Sequence, residues 1–169
     1  MNYHNITYPD MNNGDGLRVV LWLSACSHYC KNCQNQQTWN ANSGVTFDHS
    51  AKEELFSELQ KDYISGITFS GGDPLHKNNV DELLNLIIEI KKGFPSKNIW
   101  LYTGFTWEEI FKSTYKIRQQ IVSECDVLVD GKYVDELRNP SIHWVGSANQ
   151  RVIDVQKSLK ENKVVLHDV

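Results

Sequence analysis

Leu17-Arg-Val-Val-Leu-Trp-Leu-Ser24 is a mostly apolar, strand-like run, and it leads directly into Ala25-Cys-Ser-His-Tyr-Cys-Lys-Asn-Cys33. The run reads as a strand. The three cysteines behind it are spaced C-x3-C-x2-C on one short loop. Such a loop can hold three corners of a four-iron cluster and leave the fourth iron without a protein ligand, open to a small molecule.

Downstream the same grammar repeats. Ser50-Ala-Lys-Glu53 reads as a capping box opening a helix with Leu55, Phe56 and Leu59 on its apolar face. Gly66-Ile-Thr-Phe-Ser70 is a short strand. Val80, Leu83, Leu84, Ile87 and Ile88 mark an amphipathic helix ending near Gly93. Asn98 to Tyr102 reads as a third strand, and Thr106-Trp-Glu-Glu109 as a second capping box, with Phe105 able to staple onto Ile110. A helical stretch from Ile117 to Val122 precedes a strand from Asp126 to Val129. Strand alternating with helix implies crossover connections, hence an α/β fold with a mainly parallel sheet. The units are too few to close an eight-stranded barrel, so an open, partial (βα) barrel is expected. In the tail, Arg151 to Val155 and Lys163 to Leu166 read as strands around a short polar turn. No linker or repeat interrupts the 169 residues, and they are read as a single domain, 1–169.

The net charge of −4 and the scattered lysines and arginines argue against a nucleic-acid surface. The N-terminal residues lack a basic stretch followed by an apolar one, and no apolar run approaches the length that spans a bilayer, so no membrane contact and a cytoplasmic location are expected. Of the four cysteines, three are nearly adjacent and Cys125 stands alone, a pattern that favours metal ligation over disulfides.

The cysteine loop, Ser70-Gly-Gly-Asp-Pro74, Thr103-Gly104 and Asp130-Gly131 each follow an expected strand, so a parallel sheet brings all four to one rim. Two consecutive glycines allow backbone to approach a ligand closely, and the turn suits the amino group of an amino-acid-like molecule; the plainer reading is a tight turn that needs positive φ. For the cysteines the plainer reading is zinc, which needs a fourth ligand from His28 or Cys125. Cys125, beside a buried strand, reads as a core thiol, and Asp15 and Arg18 as a buried ion pair.

Together these segments resemble the radical S-adenosylmethionine superfamily. Asn13-Gly-Asp-Gly-Leu-Arg18, Thr38-Trp39-Asn40, Ser70-Gly-Gly-Asp-Pro-Leu75, Ile99 to Gly104, Val127-Leu-Val-Asp-Gly-Lys132 and Gly146-Ser-Ala-Asn-Gln-Arg151 are similar to the family of activating proteins of anaerobic ribonucleoside-triphosphate reductases, and the likeness runs from Met1 to about Arg151. The resemblance implies a partial barrel of the radical S-adenosylmethionine type, with Cys26, Cys30 and Cys33 holding a 4Fe-4S cluster and S-adenosylmethionine as the second cofactor. It implies Asn32, Cys33 and Gln34 beside the adenosyl group through their main chain, Gly72 with Ser70, Gly71 and Asp73 at the methionine end, and Thr103 on the pocket floor. No catalytic side chain is expected beyond cluster and cofactor. The implied activity is reductive cleavage of S-adenosylmethionine to a 5'-deoxyadenosyl radical that places a glycyl radical on the reductase, with a flavodoxin or ferredoxin as electron donor. An activator of another glycyl radical enzyme, of the pyruvate formate-lyase type, and a non-catalytic metal-binding module are the alternatives. Asn32 and Gln34 stand where aromatic residues are common in these proteins, and Asp73 stands where the superfamily usually has Glu.

Overall fold

In the computed structural model, which describes residues 1–168, the run after Leu17 forms the second strand of a seven-stranded sheet rather than the first. The elements in chain order are β1 (Asn2–Asp10), β2 (Arg18–Leu23), β3 (Val45–Thr46), α1 (His49–Leu59), β4 (Gly66–Gly71), α2 (Val80–Gly93), β5 (Asn98–Tyr102), α3 (Trp107–Lys112), α4 (Ile117–Ser123), β6 (Val127–Asp130), β7 (Arg151–Asp154) and α5 (Val155–Glu161). The sheet order is β3-β1-β2-β4-β5-β6-β7. Its central four strands are parallel, with Arg18 opposite Gly66, Phe69 opposite Leu101 and Tyr102 opposite Val129.

Both flanks are antiparallel: β1 against β2 and β3, and β7 against β6. The sheet is therefore mixed rather than mainly parallel, and it does not close. The added strand β1 is polar, with only Ile6 buried, and it is held by backbone pairing on both sides. The tail differs too. Arg151–Asp154 is a strand as expected, but the next residues form α5, capped by Asp154, whose side chain accepts from the Lys157 amide at 3.0 Å. Only Leu166 then returns to the sheet, as a single bridge to Ile153.

The helical faces follow from which side chains the sheet offers. Val19, Leu21, Leu23, Ile67, Phe69, Ile99, Leu101 and Leu128 point one way along their strands and pack with Leu55, Leu59, Leu83, Ile87, Ile90 and Ile121 from the helices. In α2 the buried stripe is Val80, Leu83, Leu86, Ile87 and Ile90, so Leu84 and Ile88 lie on the flank and the face is rotated from the expected one. Both stripes share Val80, Leu83 and Ile87, and packing against α4 selects between them. The α1 cap is Asp48, which accepts from the Ala51 amide at 2.9 Å, two residues before Ser50; a carboxylate also complements the helix N-terminus. Thr106 caps α3 as expected, accepting from the Glu109 amide.

The opposite, concave face carries Trp100, Val127 and Val129 with Tyr102, Trp144, Val145 and Val152. Arg18 lies here, fully buried. Its guanidinium donates to Thr68 Oγ1 at 2.8 Å and to the carbonyls of Asp15, Ile67 and Asn98. Burial depresses its pKa to about 10. The expected ion pair with the Asp15 side chain does not form, because that carboxylate faces His167 Nε2 at 2.7 Å. No helix among the described residues is long and apolar enough to cross a membrane.

Candidate functional site

The loop after β2 is closed at its base, where the Ala25 amide donates to the Thr38 carbonyl at 2.7 Å and the Cys26 amide to that of Trp39 at 3.1 Å. Ala25, Tyr29 and Asn32 adopt left-handed backbone, φ 82°, 51° and 58°, which lets the loop double back within so few residues. The fold so formed turns Cys26, Cys30 and Cys33 into one cavity of about 670 Å³ at the C-terminal ends of the parallel strands. All three are free thiols, partly exposed. Burial pushes Cys26 up to about 11 and raises Cys30 as well.

Three thiols converging on one cavity from a loop fit an iron-sulfur cluster. The zinc reading lacks its fourth ligand: the His28 ring is bound to Asp73, and Cys125 is fully buried in the core, where its thiol donates to the Ile121 carbonyl. Among the described residues no three His, Cys, Asp or Glu side chains converge closely enough to chelate a single ion.

All four expected rim segments meet at this cavity: Cys33 and Gln34, Ser70 to Gly72, Thr103 with Gly104, and Gly131 with Lys132 line it. The glycines have a packing reason. Gly71 has φ 111°, and a Cβ there would lie 2.4 Å from the Leu23 carbonyl oxygen, while one on Gly72 would lie 2.4 Å from that of Ala25. The amides of Gly72 and Asp73 donate to those same carbonyls, at 2.8 and 2.6 Å. The turn is thus seated against the root of the cysteine loop, and both glycines are needed for that contact.

Three candidates spend their side chains on other protein groups. The Asn32 side chain faces away from the cavity wall and donates to Asp135 at 2.9 Å, and that carboxylate, which also accepts from Tyr133, is held below its ordinary range chiefly by the Asn32 bond. Asp73 is buried behind the rim, 1% exposed. Thr103 reaches the cavity floor, yet its hydroxyl donates to Asp73 at 2.9 Å.

Among the lining residues that were not expected, two carry unpaired polar groups. Tyr102 and Trp144 both face the cavity, and the Tyr102 hydroxyl and the Trp144 indole N–H are buried without a partner among the described residues. Strand alternation from Trp100 could have found Tyr102. Trp144 lies in the long connection from β6 to β7, where no periodicity applies.

That connection is fastened by the segment Gly146 to Arg151. Gln150 Oε1 accepts from the amides of Gly146 and Ser147, its Nε2 donates to the Gly131 carbonyl at 3.0 Å, and Asn149 donates to that of Lys132 at 2.8 Å. Arg151 pairs with Asp130 at 2.6 Å and Glu108 at 2.7 Å, while Asp130 accepts from the Trp107 amide at 2.8 Å. The motif closes one wall of the cavity.

An α/β sheet with three free thiols on a loop at the carboxyl rim, over a cavity walled by a glycine turn, has the makings of an iron-sulfur protein. The family model described as a 4Fe-4S single cluster domain matches residues 12–153. The chain is 43% identical over 90% of its length to the anaerobic ribonucleoside-triphosphate reductase-activating protein of Enterobacteria phage T4, covering 93% of that protein. Against the proteins of the same name from Escherichia coli K12 and Haemophilus influenzae, identity is 41% and 40%, over 90% and 89% of this chain and 97% and 96% of theirs. The chain belongs to the family of anaerobic ribonucleoside-triphosphate reductase-activating proteins.

Proposed function

We propose that this protein is an activating enzyme, an oxidoreductase that installs a glycyl radical on an anaerobic ribonucleoside-triphosphate reductase, using a 4Fe-4S cluster and S-adenosylmethionine. The observation that carries the reading is the meeting of Cys26, Cys30 and Cys33 with the Ser70-Gly-Gly72 turn around one cavity, in a chain whose relatives bear that name. Cys26, Cys30 and Cys33 would hold the cluster, which when bound would supply the one-electron reduction that cleaves S-adenosylmethionine and so allows hydrogen-atom abstraction from a glycine of the reductase.

The chain's own part is to hold and to exclude. Cys26, Cys30 and Cys33 ligate three irons. Ser70, Gly71 and Gly72 line the place for the methionine end, and the main chain of Asn32, Cys33 and Gln34 the place for the adenosyl group. The Tyr102 hydroxyl and Trp144 indole are unspent donors on the same wall, suited to a polar ligand that would complete them. A low-potential flavodoxin or ferredoxin in the cytoplasm would deliver the electron.

The test is anaerobic reconstitution followed by reduction with S-adenosylmethionine present. The expected products are 5'-deoxyadenosine and, with the reductase added, a glycyl radical signal in the electron paramagnetic resonance spectrum. A chain loaded with four irons that yields neither would refute the reading.

A further inference from the structure

We infer that Asp73 is a positioning residue: its buried carboxylate fixes the cysteine loop to the end of β5 through His28, and it makes no contact with the bound ligand. The inference deepens the functional reading and rests on it for the cluster in the loop.

Asp73 draws donors from three segments of chain. Oδ2 accepts from His28 Nε2 of the cysteine loop and from the Gly104 amide at 3.1 Å, while Oδ1 accepts from the Leu75 amide of its own turn at 2.9 Å. The Thr103 hydroxyl lies within 2.9 and 3.0 Å of the two oxygens. A carboxylate has about four lone-pair sites, and four donors fill them. Nothing is left for the amino group of a ligand, and Asp73 is absent from the cavity lining.

His28 is built into the same arrangement. Its side chain is 5% exposed. The ring meets Phe105 edge-on at 4.6 Å, and a Cβ on Gly104 would lie 2.4 Å from its Cδ2, so glycine is required there for the imidazole to enter. On the other side, the Arg118 guanidinium covers Phe105 at 4.2 Å and donates to the Leu75 carbonyl at 2.7 Å. His28 itself lies two residues after Cys26 and two before Cys30, inside the cysteine loop. Its ring thus ties the cysteine loop to a carboxylate anchored on the end of β5. The length of the acid matters here. The Asp73 amide is already bound to Ala25, so a Glu at 73 would push its carboxylate one methylene past the Thr103 and Gly104 donors.

The experiment compares His28→Ala, Asp73→Asn and the double variant in the anaerobically reconstituted full chain, before S-adenosylmethionine is added. Each single change is expected to speed loss of iron from the cluster by about tenfold to a hundredfold, the usual effect of removing a partner that orients a metal ligand. The double variant should lose iron no faster than the worse single one, because the residues act as one unit. His28→Gln, which keeps a donor, should recover part of the retention.

A second readout uses the cluster-free chain, where Asp73→Asn should move the ¹⁵N resonances of the His28 ring and speed exchange of the Gly104 amide. If Asp73→Asn does not fold, His28→Ala decides alone, since it cuts the tie and leaves the other three donors on Asp73. The inference is overturned if Asp73→Asn keeps its iron and its His28 resonances at parent values while weakening S-adenosylmethionine binding about tenfold. Failure of the parent chain to assemble any cluster would count against the proposed function, and the cluster-free resonances would still decide the role of Asp73.

Discussion

The two faces of the central strands are buried to similar depth and serve opposite ends. Toward the helices, Leu21, Phe69, Leu101 and Leu128 form an apolar contact with Leu55, Leu83, Ile87 and Ile121. Toward the concave side the same strands present Arg18, Thr68, Trp100 and Tyr102, with two of the three orphan buried polar atoms of the described residues, Tyr102 Oη and Trp144 Nε1, on the cavity wall. The contrast teaches where stability and function are stored. Apolar burial is non-directional and tolerates no ligand, whereas a polar concavity costs desolvation and returns it as oriented donors for something to bind.

Breaking the rim should separate function from fold most completely. Cys30→Ala should abolish iron binding and 5'-deoxyadenosine formation. The cluster-free chain should keep its unfolding free energy within about 0.5 kcal/mol, because the thiol is only partly buried. Iron analysis and urea unfolding on one preparation check both halves, and a large loss of stability would blur the division.

The helix face should behave in the reverse way. Phe69 is fully buried, and Phe69→Ala should cost about 3–5 kcal/mol, read as a lower urea midpoint. Arg18, equally buried, sharpens the comparison. Arg18→Met removes the donor to the Thr68 hydroxyl, which still donates to the Asn13 carbonyl, and the donor to several carbonyls, but it also removes a charge that was expensive to bury, so the expected loss is smaller, about 1–3 kcal/mol. A cost above that of Phe69→Ala would mean that the concave face carries the stability.

The smallest effect lies at the rim of the β6 to β7 wall. The Arg151 hydrogen bond holds Glu108 below its ordinary 4.5. A depressed carboxylate pKa adds stability that is present above 4.5 and is lost as pH falls through the folded value. Glu108 is nearly half exposed, so solvent screening limits the contribution to about 0.5 kcal/mol. Glu108→Gln should flatten the acid limb of a stability-against-pH curve by that amount and leave neutral pH behaviour close to that of the parent.

The four parallel strands were legible because strands buried on both faces read as apolar runs, and the helix-bearing segments because a 3.6 period is visible in one dimension. β1 escaped notice because it is held by backbone bonds, which any sequence can make, and Ile6 alone marks it as buried. α5 escaped because seven residues with Val155 and Ser158 buried give no stripe. At the site, the cysteines and the Gly-Gly turn declared themselves through spacing, since few residue types can ligate iron or adopt φ 111° at Gly71. Trp144 did not, because an irregular connection has no period to read.

By itself the sequence determined the alternation of strand and helix, the rim on which the loops gather and the identity of the thiols, all properties written in local pattern or residue chemistry. The tertiary structure alone decided that the Asn32 amide goes to Asp135, that Arg18 is satisfied by carbonyls rather than by the Asp15 side chain, and that Asp73, Thr103 and His28 are spent on one another. Those are choices among competing hydrogen-bond partners far apart in the chain. Only the packed fold, by burying some donors and acceptors together and leaving others open to the cavity, can make them.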